Sequence, residues 1–117
     1  MESLRTSQVA FTLDVARLIQ FIYAQGYEVT LGEAYRTQEQ AELYAQRGIG
    51  IKDSLHCKRL AIDLQLFRDG RYLIDSKDYY FAGLYWESLS PYNRWGGFFV
   101  KNKLPAPDGN HFQRNLP

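Results

Sequence analysis

The sequence is short of several things, and each shortage excludes something. It has one cysteine in 117 residues, Cys57, so no disulfide can form within the chain and the fold must hold without that staple. No apolar run approaches the roughly 20 residues that a bilayer-spanning helix needs, so no stable membrane insertion is expected. Neither sign of charge dominates: 14 Lys and Arg stand against 13 Asp and Glu, a net charge of +1. With no basic stretch either, nucleic acid is not an expected partner. The opening residues, Met1-Glu2-Ser3-Leu4-Arg5, lack the charged and then apolar regions of a secretory leader. Synthesis in a reducing cytoplasm is the expectation, and a monomer. Histidine is also scarce, with two in the chain.

What is present is ordinary for a globular protein: 45% hydrophobic and 23% charged residues, which excludes a disordered tail. The length fits one domain spanning residues 1–117. Thr6 or Ser7 can cap a first helix running to about Gln25, where Phe11, Val15, Leu18, Ile19 and Ile22 form one apolar stripe. Gly26 sits where a terminating glycine belongs. Tyr27 to Ala34 reads as a short strand. Thr37 and Gln40 form a capping box that opens a second helix through about Arg47. Leu60 to Phe67 is strand-like, Asp69-Gly70 signals a hairpin, and Arg71 to Ile74 returns. Ser76 to about Leu89 reads as a third, aromatic-rich helix, with Tyr79, Tyr80, Phe81, Tyr85 and Trp86 mostly in the core. Tyr92 to Gly109 reads as loop, and a last strand includes His111 and Phe112. Helices mix with antiparallel strands without a βαβ rhythm, which argues for α+β: a small antiparallel sheet flanked by about three helices.

Both histidines sit in chemically suggestive company. His56 lies in Ser54-Leu55-His56-Cys57-Lys58-Arg59-Leu60-Ala61-Ile62-Asp63, and His111 in Asp108-Gly109-Asn110-His111-Phe112. Two imidazoles and a carboxylate can hold zinc with a fourth position open to water. Asp108, three residues before the second histidine, could then act as general base. Geometry sets a condition on this reading. On one straight strand, residues 56 and 63 would lie roughly 23 Å apart and on opposite faces. The metal reading therefore requires a bend between His56 and Leu60. Cys57 as a fourth ligand would close the site, and a buried inert thiol is the expectation. Lys101 to Lys103 is a small solvated patch.

The pattern Ser-x-His, then Asp63, then Asp-x-x-His-Phe resembles the zinc D-Ala-D-Ala carboxypeptidase and L-alanyl-D-glutamate endopeptidase family, most of all its small phage endolysin-type members. Glu33-Ala34-Tyr35-Arg36-Thr37, Ser54 to Phe67, Asn93-Arg94-Trp95-Gly96-Gly97 and Asp108 to Gln113 carry the resemblance over nearly the whole chain. It implies a Hedgehog/D,D-peptidase-like fold with the metal at the sheet edge or cleft. It implies Zn2+ held by His56, Asp63 and His111, with Asp108 as catalytic base. Arg36 would stabilise the oxyanion. Ser54 would orient the loop or contact substrate, and Trp95 would lie beside the site and shape its substrate-binding surface. The implied partner is a peptidoglycan stem peptide, cut between L-Ala and D-Glu by a lysis enzyme that waits in the host cytoplasm. The alternatives are a D-Ala-D-Ala dipeptidase or carboxypeptidase, or a non-catalytic phage structural or binding protein. The chain departs from the common family pattern at Arg59, where relatives usually carry glycine. If that glycine serves a positive φ, arginine there is costly.

Overall fold

Ser3, not Thr6 or Ser7, starts the first helix. In the computed structural model, which describes residues 2–51, 53–103 and 107–117, helix α1 runs over Leu4–Ala24. The Ser3 hydroxyl accepts from the Thr6 N–H at 3.1 Å, satisfying one orphan donor of the first turn. Ser7 is buried and donates to the Glu2 carboxylate at 2.5 Å. The stripe holds: Phe11, Leu18 and Ile22 are buried, with Val15 packed at the margin. Gly26, at φ +88°, ends the helix.

Among the described residues, five strands form one antiparallel sheet: β1 Glu28–Leu31, β2 Ala61–Arg68, β3 Arg71–Tyr72, β4 Asn93–Trp95 and β5 His111–Arg114. Their order is β1-β2-β5-β4, with β3 paired to the end of β2. Asp69 and Gly70 join that hairpin at φ 51° and 76°, the two positive values a type I′ turn demands. Strand β4 lies where the sequence reads as loop. Three residues followed by two glycines carry no local strand signal, so cross-strand pairing of Trp95 with Phe112 decides its conformation. Residues 104–106 of that stretch lie outside the described residues.

Alternation divides the sheet into a core face and a working face. Ile62, Leu64 and Leu66 of β2 and Phe112 of β5 are buried in the core cluster with residues of α1 and α3. Asp63 and Gln65, and His111 and Gln113, alternate with them and are only half-buried. The third helix begins as a 3₁₀ turn, Ser76–Tyr79, before α3 proper, Tyr80–Ser88. Trp86 is fully buried, edge-on to Phe11 and Phe112, and its indole N–H donates to the Gln113 carbonyl at 3.0 Å. Tyr79 is also buried, but Tyr80 is half exposed. Helix α2, Gln38–Gln46, is capped by Thr37, which accepts from the Gln40 N–H at 3.1 Å. Among the described residues, no helix is long and apolar enough to cross a membrane.

Arg59 adopts the conformation that suits glycine, with φ 56° and ψ 39°. Its guanidinium lies 4.1 Å from the centre of the Tyr35 ring, a cation–π contact that offsets part of the left-handed strain. Arg59→Ala keeps the strain and loses the contact, whereas Arg59→Gly loses both. In urea unfolding, the glycine variant should be the more stable of the two by about 1 kcal/mol. Equal stabilities would show that the turn is unstrained.

Candidate metal centre

The bend that the metal reading requires is present. Ser54 caps a 3₁₀ turn, Leu55–Lys58, its hydroxyl accepting from the His56 N–H at 3.1 Å. Arg59 then reverses the chain in its left-handed conformation, and β2 begins at Ala61. The turn carries His56 back over Asp63, which stands directly opposite His111 across the β2–β5 pair. The segment after β1 stitches these pieces together. Gly32 N–H donates to Asp63 O at 2.7 Å, Asp63 N–H to Glu33 O at 3.0 Å, and Arg36 N–H to His56 O at 3.2 Å.

Three donor atoms converge over the two central strands. His56 Nε2 lies 3.2 Å from His111 Nδ1 and 3.3 Å from Asp63 Oδ1, and His111 Nδ1 lies 3.2 Å from Asp63 Oδ1. This near-equilateral triangle is the test of fit. Ligands placed tetrahedrally at roughly 2.0–2.1 Å from zinc stand about 3.3–3.4 Å apart. The edges match a tetrahedral face, so this group could hold a metal ion. Two nitrogens and a carboxylate oxygen suit zinc among other divalent ions.

The outer atoms of the ligands are held too. His111 Nε2–H donates to Gln113 Oε1 at 2.8 Å, and Gln113 Nε2 donates to Asn115 Oδ1 at 2.6 Å. This relay leaves the Nδ1 lone pair of His111 facing the triangle. His56 Nδ1 faces Glu33 Oε1 at 3.5 Å. Burial alone would raise the Asp63 carboxyl, but hydrogen bonds and charge from His111 and His56 overcome it and hold it at about 2. For His111, burial works against the charged form, yet hydrogen bonds to Asp63 and Gln113 raise it above its ordinary value.

A cleft of about 560 Å³ opens over the triangle and is lined in part by Arg36, Ser54, Asp108 and Phe99. Burial, and then the Asp63 charge, push the Asp108 carboxyl above its ordinary value. Ser54 reaches the cleft wall, but its hydroxyl is committed to the His56 backbone. Trp95 is buried and is not among the cleft's described lining residues; its indole N–H donates to Gly109 O at 2.7 Å and braces the loop behind Asp108. The half-buried Cys57 is outside the triangle, its Sγ 3.8 Å from Thr37 O, and burial pushes its thiol up. Sequence reasoning assigned no role to Gln113 or Glu33. Gln113 was legible by strand period, two residues from His111 on the same face. Glu33, three residues before Arg36, has no periodicity to mark it.

No protein-family model matches the sequence, and no curated protein is similar to it. Among solved structures, the crystal structure of the Serratia marcescens L-Ala D-Glu endopeptidase ChiX resembles this one with a TM-score of 0.68. The alignment covers 87% of this chain and 78% of that one, at 19% identity. At such identity the likeness establishes the fold, and the α+β architecture expected from the sequence is the one found.

Two outcomes follow from the site's geometry. A methyl group on Gly96 would overlap the Asp108 carbonyl and press on His111 Cβ at 2.9 Å. Gly96→Ala should therefore cost about 1–3 kcal/mol of stability and weaken metal binding in a chelator competition. Wild-type affinity would show that the loop yields freely. The pH dependence is set by Asp63 and His111. The stability Asp63 contributes is complete above its ordinary 3.8 and lost as pH falls towards about 2. The stability His111 contributes is complete below its ordinary 6.5 and lost as pH rises through its raised value. Metal-free protein should thus show its highest Tm between pH 3.8 and 6.5. Added zinc should raise Tm more on the alkaline side of that window, where His111 loses the proton that competes with the ion.

Proposed function

We propose that the chain is a zinc-dependent peptidase that cuts the L-Ala–D-Glu bond of peptidoglycan stem peptides. The observation that carries this reading is the His56–Asp63–His111 triangle in a cleft that also presents Asp108 and Arg36. The fold shared with an L-Ala D-Glu endopeptidase supports the choice of substrate. A zinc ion bound there would supply two things: a water acidified towards neutral pH and a polarised scissile carbonyl.

The remaining work falls to the chain's own side chains. The Asp108 carboxylate accepts the proton of the attacking water and returns it to the nitrogen of the departing amine. Its raised basicity suits that exchange. Arg36 directs a permanently charged guanidinium at the carbonyl oxygen as negative charge develops. Ser54 holds the first ligand's turn in place. Trp95 shapes the cleft from behind through Gly109.

We further assign the chain to lysis of a bacterial host from within, as an endolysin of the phage type, on the strength of its motif resemblance.

Elemental analysis and mass spectrometry of digested peptidoglycan test the reading together. About one zinc per chain and new N-terminal D-Glu on stem fragments are expected. Release of D-Ala instead would move the substrate to the D-Ala-D-Ala dipeptides. Zinc without cleavage would leave a binding protein. Asp108→Ala should retain zinc and lose about 10²–10⁴-fold in kcat; unchanged turnover would remove Asp108 as the base.

A further inference from the structure

Glu33 has no part in the chemistry above, yet it stands between two groups that do. Its Oε1 lies 2.5 Å from Arg36 Nη2 and 3.5 Å from His56 Nδ1. Two buried nitrogens in this corner, Arg36 Nε and His56 Nδ1, have no hydrogen-bond partner among the described residues. Since Nε2 of His56 faces the triangle, its ring proton belongs on Nδ1 whenever Nε2 donates its lone pair to a metal. That buried N–H then needs an acceptor. His111 has the neutral amide of Gln113 at 2.8 Å. Among the described residues, His56 Nδ1 faces a carboxylate oxygen of Glu33 that is drawn towards Arg36.

The backbone holds the three residues in this relation. Gly32 and Glu33 are bonded to Asp63, and Arg36 to His56, through main-chain hydrogen bonds. The side chains therefore meet on a fixed frame. We propose that Glu33 is a positioning residue that couples the metal ligand to the oxyanion-binding cation. One carboxylate oxygen orients His56 through Nδ1–H and clamps the Arg36 guanidinium. The inference rests on the metallopeptidase reading and deepens it. Its consequence is competition: a firmer hold on Arg36 is a looser hold on His56, so a change at one is felt at the other through Glu33.

The test is zinc affinity, measured by competition with a chromophoric chelator, together with the imidazole N–H signals of the zinc-loaded protein by NMR. Glu33→Ala should weaken zinc binding 10–100-fold, the scale of losing an outer partner of a metal-bound histidine, and should abolish a slowly exchanging His56 Nδ1–H signal. Glu33→Gln keeps an acceptor oxygen and should restore most of the affinity and the signal. Arg36→Met should change zinc affinity in the wild-type background. That change should vanish in the Glu33→Ala background and, should the alanine variant fail to fold, shrink with Glu33→Gln, whose neutral oxygen holds the guanidinium less firmly. An undiminished effect of Arg36→Met without the carboxylate would mean that Arg36 acts on the ion by its own charge, and would overturn the coupling. Wild-type affinity and an intact signal in Glu33→Ala would overturn the proposal alone. Failure of the wild-type chain to bind zinc at all would overturn the metallopeptidase reading as well.

Discussion

The pairing of Asp63 with His111 across two central strands is the constraint on which the site depends. A carboxylate and an imidazole face each other at one register position, and a second imidazole is folded down onto the pair. Partly buried carboxylates are costly without partners, and here burial pulls the Asp63 carboxyl one way while two histidines pull it further the other. The arrangement makes sense as a receptacle for a cation, which would satisfy all three lone pairs at once. Everything nearby serves that convergence: the 3₁₀ turn, the left-handed Arg59, the Gln113–Asn115 relay and the strap from Gly32 to Arg36.

The same two strands also build the core. Ile62, Leu64 and Phe112 seal one face against α1 and α3 while the residues between them make the cleft. Trp86 joins the two jobs, since its ring fills the core and its N–H anchors the backbone of β5 at Gln113. Loss of that ring would open a cavity on the scale of several kcal/mol beneath the strand that carries His111.

Much of this was legible in the sequence because it rests on local rules. The stripe of α1, the Thr37 cap, the Asp69-Gly70 turn and the alternation of β2 are all written in spacing and turn chemistry. The need for a bend after His56 followed from strand rise and parity alone. Other features depend on partners distant in sequence. Strand β4 exists because β5 lies beside it, and Ser7, a cap candidate by sequence, is buried against Glu2, which Arg114 of β5 holds. At Arg59 the structure keeps the glycine conformation without the glycine, and an aromatic ring supplies compensation that no reading of the turn itself could reveal. Glu33 stood in a segment that carried the resemblance but had no role there, since its place beside His56 comes from the main-chain stitching.

That stitching has a kinetic meaning. Small zinc domains often fold only around their ion, so their metal leaves at the pace of unfolding. Here the backbone bonds that fix the ligands run between strand, turn and strap without passing through the site. The frame that positions the ligands thus owes none of these hydrogen bonds to an ion. Exchange of one divalent ion for another should then be a local event in an intact protein, governed by ligand chemistry and by what the surroundings supply.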